Sequence, residues 1–173
     1  MPKSLADGHI KLTILTTEPE DPANPTVTEL NAGIDVSCNV LASDFTWSAG
    51  DSDKFAEAAL CESSNANSMG RDNFTAGITL FRYFDVTTGE VDETEDAAYQ
   101  ALKVKGTTAW GYSRENGKEA TEPWAEGDEY DLGLRVLTDR PQRPGSGGGY
   151  IKRRIPLEPQ AGWQEGTVAA AGV

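Results

Sequence analysis

The sequence predicts a mainly-β domain, a sandwich or barrel with one α-helix on its flank and long loops. Three observations predict it. Apolar and polar residues alternate with a period of two in several short runs, the spacing of half-buried strands. Helix-start chemistry followed by helical spacing occurs firmly once. And 18 glycines and 9 prolines punctuate the runs, the residues that make turns and stop strands. A chain of 173 residues fits one domain. That domain is read as residues 1–173, with a core over 28–158, loops at 17–29 and 140–149, and a flexible tail at 164–173. This length can bury a core without disulfides or metal.

Residues 10–16 read as the first strand, with Ile10, Leu12 and Ile14 on one face. Glu18 to Pro25 is a loop rich in proline and acid. From Gly33 to Val40 the alternation is clean: Ile34, Val36, Cys38 and Val40 point one way, Asp35, Ser37 and Asn39 the other. That is the pattern of a strand apolar inside and polar outside. Phe45 to Trp47 is a further short strand. Asp51, Ser52 and Asp53 offer cap chemistry before Phe55, Ala58 and Ala59, which predicts a short helix or helical turn. Residues 61–73 read as a polar loop. Phe74 to Phe84 is the longest apolar-rich strand, and Gly77 within it marks a bulge or a close backbone approach.

The one firm helix opens at Asp92 to Glu95. Asp92 can cap it, and acids in the first turn suit the helix dipole. Ala98, Ala101 and Leu102 follow at helical spacing. Thr107–Arg114 is a strand. Tyr130, Leu132, Leu134 and Val136 line one face of another, and Ile151, Arg153 and Ile155 mark the last. The run Arg140–Gly149 has no periodicity and reads as a flexible loop.

No reactive constellation emerges. His9 is the single histidine and has no nucleophile nearby in the sequence, so a triad has nothing to stand on. Asp51–Asp53 and Asp92–Asp96 lack the glycine and glutamate spacing of a calcium loop. Gly145–Gly149 is not followed by Lys-Ser/Thr and a helix, as a phosphate cradle requires. Cys38 and Cys61 are too few for a disulfide framework or a zinc site and read as small buried thiols. The four tryptophans are spread along the chain, which favours packing over a sugar platform. The expectation is therefore no catalytic residue, no cofactor and no metal. No apolar run approaches the ~20 residues of a membrane span. The first residues lack the apolar core of a secretory signal, so the expected place is the cytosol of the producing cell.

Charge says more. With 28 acids against 15 bases the net charge is −13. Phosphate backbones and anionic membranes are repelled by such a surface. The charge is also uneven. Asp85–Asp96 and Glu119–Asp131 each hold six acids and no base, whereas Arg140, Arg143, Lys152, Arg153 and Arg154 sit within fifteen residues. One basic edge among acidic ones predicts pairing between copies, and contacts between unlike surfaces close into rings or propagate as filaments. Those five bases are the predicted subunit interface.

Three segments resemble the major tail (tail tube) proteins of long-tailed phages that infect actinobacteria. They are TVTELNAGIDVSCNV ending at Val40, ALCESSNANSMGR over Ala59–Arg71, and DNFTAGITLFRYFD over Asp72–Asp85. The helix ending at Lys103 and the Arg-Pro-x-Arg-Pro-Gly loop stand where that family has them, and the resemblance covers about residues 27–158. It implies the tail tube fold, homo-hexameric rings that stack, and a β-lined channel. Genomic DNA passes through that channel in transit without being held. It further implies a tape-measure protein, tail terminator and distal tail proteins as partners, assembly in the host cytoplasm, and a final place in the virion tail. Catalysis and cofactors play no part. The polar faces expected at the lumen are Asp35, Ser37 and Asn39, together with Asp131 and Arg135. The competing readings are a capsid decoration or head–tail connector protein, which would form one ring or a trimer, and a carbohydrate-binding β-sandwich module, which would need clustered aromatics.

Overall fold

The structure, a computed structural model, describes residues 3–64, 66–145 and 148–171. Seven of its strands form one antiparallel sheet: β1 (Ile10–Leu15), β2 (Ile34–Asp35), β3 (Thr46–Gly50), β6 (Asn73–Phe81), β7 (Thr108–Glu115), β8 (Glu129–Thr138) and β9 (Lys152–Thr167). Their order is β2-β1-β7-β8-β9-β6-β3. The remaining two, β4 (Lys54–Ala56) and β5 (Asn67–Met69), pair only with each other. The mainly-β expectation holds and a helix does flank the sheet, but it begins at Ala97 rather than Asp92, whose carboxylate accepts from Thr94 N and Glu95 N in the turn before it.

Period two places Leu12 and Ile14 of β1, Leu132 and Leu134 of β8, and Ile78 and Ile155 on the inner face of the sheet, where they form the main core. Trp47 of β3 reaches across this core and donates its indole N–H to the Leu132 carbonyl at 3.0 Å. Glycine at 111 is what admits that ring: a β-carbon there would fall 2.4 Å from it. The chain from Val36 to Leu41 then crosses from β1 to β6. Val36 N donates to Leu12 O (3.0 Å), Leu41 N to Thr79 O (2.8 Å) and Phe81 N to Asn39 O (2.9 Å). The sheet thus curls round its core with this segment spanning the gap. α2 (Ala97–Leu102) adds Ala98 and Leu102 to the same core.

The outer face is also covered, by Leu15, Leu30, Trp110, Tyr112, Trp124, Tyr130 and Val168. Leu30 belongs to α1 (Val27–Ala32), which begins with a capping box: Glu29 N donates to Thr26 Oγ1 and Thr26 N to Glu29 Oε2. Buried Tyr112 and Tyr130 stack edge-to-face at 5.3 Å and donate to the Pro22 and Ala23 carbonyls, pinning the proline loop. Burial pushes both hydroxyls up, that of Tyr130 to about 12.

Several expectations need correction. The strand read over Gly33–Val40 survives only as Ile34–Asp35. The Asp35 carboxylate accepts from Ser37 N at 3.0 Å, and this local turn ends the extended run. Val36 stays in the core, but Cys38 is turned outward, and Cys61 is exposed too. Residues 51–59 form no helix, and the region read as loop over 61–73 holds β5. Asp53 N donates to Arg71 O and Gly70 N to Asp53 O, so cross-strand pairing replaces the cap. The loop expected over 17–29 contains the start of α1. Gly77 carries neither a bulge nor a close approach: register with β9 runs through it unbroken, and a β-carbon there would meet the Arg154 guanidinium at an ordinary 3.5 Å.

The last strand is far longer than read. β9 pairs with β6 up to Leu157 and with β8 from Leu157 onward. Pro159 lies opposite Val136, where the β8 register shifts, a place that tolerates a residue without an N–H. Residues 164–167 of the expected tail are strand, and Val168 is buried. The end of that tail, 172–173, and positions 146–147 of the expected 140–149 loop lie outside the described residues.

Candidate functional site

Loop 140–145 lies against the start of β9. Gln142 N donates to Arg154 O at 2.7 Å and Arg154 N to Gln142 O at 2.9 Å. This pairing brings the loop that carries Arg140 and Arg143 alongside Lys152, Arg153 and Arg154, and Arg143, Lys152 and Arg153 line one hollow. Among the described residues none of the five has a carboxylate within 4.0 Å. The cations that hold the fold behave differently. Arg82 donates two guanidinium nitrogens to fully buried Asp96 and stacks on Tyr99 at 3.7 Å. Arg114, wholly buried, bonds Asp128 and the carbonyls of Glu119, Glu122 and Pro123, which fastens the acidic 119–128 loop to β7. Burial would raise the Asp128 carboxyl. Lys118, the Ala125 N–H and Arg114 outweigh it and hold that carboxyl below the ordinary aspartate value.

Beside the basic cluster, Tyr150 and Ile151 stand between two hollows. One is lined by Phe81, Phe84 and Val86, the other by Arg143, Pro144, Lys152 and Arg153. Tyr150 meets Phe81 edge-on at 5.8 Å yet is 81% exposed, and Ile151 is 55% exposed. A second apolar feature stands free of the body. In the β4–β5 hairpin every described residue from Asp53 to Met69 is exposed, including Phe55, Leu60 and Met69. None of these joins either core.

The five residues expected at a lumen do not form one cluster. Asp35, Ser37 and Asn39 lie on the segment that closes the sheet. Asp35 pairs with Lys11; burial would raise its carboxyl, but Lys11 and Ser37 hold it below the ordinary value. Ser37 Oγ accepts from Leu12 N, and Asn39 donates to Glu95 O. Asp131 and Arg135 stand on β8, exposed and half-buried respectively. Register places Asp35 beside Thr13 and Arg135 beside Trp110, so both lie on the outer face of the sheet.

The His9 imidazole meets Asp7 O and the Glu119 carboxylate. Among the described residues no group of three His, Cys, Asp or Glu is placed to hold a metal. No helix among the described residues is long and apolar enough to cross a membrane. The arrangement is thus one of surfaces: a cluster of unpaired bases, an apolar hollow and a projecting hairpin. The sequence disclosed the bases, because they are close in the chain. The hairpin went unread, although three large apolar side chains in an otherwise polar stretch were its signal.

A family model described as phage tail tube protein matches residues 1–172 of the chain. No curated protein matches it.

Proposed function

The chain belongs to the phage tail tube protein family, and on that premise we propose that six copies form a ring and that rings stack into the tail tube of a long-tailed phage. The family is structural, so the protein is a building element of a virion tail and not an enzyme. The observation that supports assembly from this one chain is the basic cluster. Five cations that meet no carboxylate among the described residues, on a protein of net charge −13, fit the acidic edges of another copy. Arg140, Arg143, Lys152, Arg153 and Arg154 form the basic half of that contact. Asp35, Ser37, Asn39, Asp131 and Arg135 face the lumen.

The excess of acid suits a conduit. DNA carries dense negative charge, so a wall of carboxylates repels it and leaves it free to slide during ejection. A tape-measure protein fills the channel beforehand, tail terminator and distal tail proteins cap its ends, and assembly takes place in the host cytoplasm.

Negative-stain electron microscopy of the concentrated protein, beside size-exclusion light scattering, tests this reading. Hollow rings or tubes with sixfold end views are expected. A solid trimer or a single closed ring that never stacks would replace it with a decoration or connector role.

A further inference from the structure

We propose that the β4–β5 hairpin of one copy inserts into the paired hollows beside Tyr150 on a second copy. The proposal rests on the self-assembly reading and names the two surfaces that meet. Phe55 and Met69 occupy adjacent cross-strand positions, Phe55 opposite Ser68 and Met69 opposite Lys54, so they project from opposite faces of the hairpin. An element apolar on both faces suits a cleft better than a flat surface. Its exposed side chains gain only when another molecule removes them from water.

The matching cleft lies on the same chain. Tyr150 and Ile151 form a wall with the Phe81–Phe84–Val86 hollow on one side and the Arg143–Lys152–Arg153 hollow on the other. Arg82, which with Asp85 also lines the apolar hollow, is paired to Asp96 and stacked on Tyr99. A preformed cleft loses little freedom on binding. Charge matches as well. Segment 51–72 carries five acids and two bases, and it would meet three of the unpaired cations. Phe55 and Met69 are the apolar anchors. Glu57 and Glu62 face the bases and set the orientation. The two surfaces are unlike, so each copy offers one of each and the contact propagates from copy to copy.

The test uses the full chain and reads the critical concentration for assembly by light scattering, with electron microscopy for form and thermal unfolding for integrity. F55S/M69S alters two exposed side chains outside both cores, and R143E/R153E reverses the basic hollow. Each is expected to raise the critical concentration about tenfold or more with folding unchanged. Adding E57K/E62K to R143E/R153E is expected to recover most of the loss. If the wild type forms tubes and F55S/M69S forms them equally well, the hairpin joint is wrong and the tube reading stands. Failure of the charge reversal to rescue, with all variants folded, also overturns the pairing. A wild type that stays monomeric at every concentration and salt level removes both the joint and the assembly reading it rests on.

Discussion

Arg114 shows how one residue can fix the acidic half of the surface. It is wholly buried and spends its hydrogen bonds on the loop that carries Glu119, Glu122 and Asp128. Arg114→Met keeps the bulk but leaves three carbonyls without their donor and Asp128 with only Lys118 and the Ala125 N–H. Breaking a buried pair by removing one partner costs about 3–5 kcal/mol, and urea unfolding is expected to show a loss of that order. The same contact gives a pH signature. The Asp128 carboxyl is held below its ordinary value, so its contribution is complete above the unfolded value near 3.9. That contribution is lost as pH falls through the lower, folded value. Asp128→Asn cannot titrate. Its stability is expected to be lower at neutral pH and to fall less steeply than the wild type below about pH 4, measured by denaturant titration at a series of pH values.

At the scale of elements, local chemistry decided which parts were legible. β1, β7 and β8 were readable because their apolar residues repeat every second position and face a core along their length. The run from Gly33 repeats equally well, yet the Asp35–Ser37 turn breaks it, and period alone carries no sign of that competing hydrogen bond. α1 was readable in principle through Thr26-x-x-Glu29. Thr26→Ala is expected to cost about 1 kcal/mol in unfolding free energy. The hairpin makes the opposite case. Replacing residues 54–69 with a short Gly-Ser linker is expected to move the melting temperature by no more than a degree or two, about the effect of a substitution remote from any core. Calorimetry checks both. The apolar hollow was illegible because Phe81, Phe84 and Tyr150 meet only after β9 has paired with β6.

At the scale of the molecule, burial is graded from one side to the other. β1 and β7 are covered on both faces, by the inner core and by the tryptophan and tyrosine layer outside, and β8 chiefly on its inner face. The hairpin is covered on neither. Local opening follows such gradients. Hydrogen exchange is expected to be slowest in β1, β7 and β8, intermediate in β3, and complete first in β4 and β5. In assembled tubes the protection of β4 and β5 is expected to rise more than that of any other segment, read by mass spectrometry of peptides from the two states. The five bases were visible at this scale from sequence alone, since folding needed only to lay a short loop along β9 to bring them together.

The absence of core contacts in the hairpin also bears on how such proteins diverge. A segment that plays no part in folding can exchange residues without endangering the domain that carries it. Selection can therefore rewrite the coupling between copies while the sheet beneath stays almost unchanged. Two lineages that altered hairpin and cleft in step would keep building their own filaments and would cease to mix. In a cell infected by both, each would assemble from its own stock.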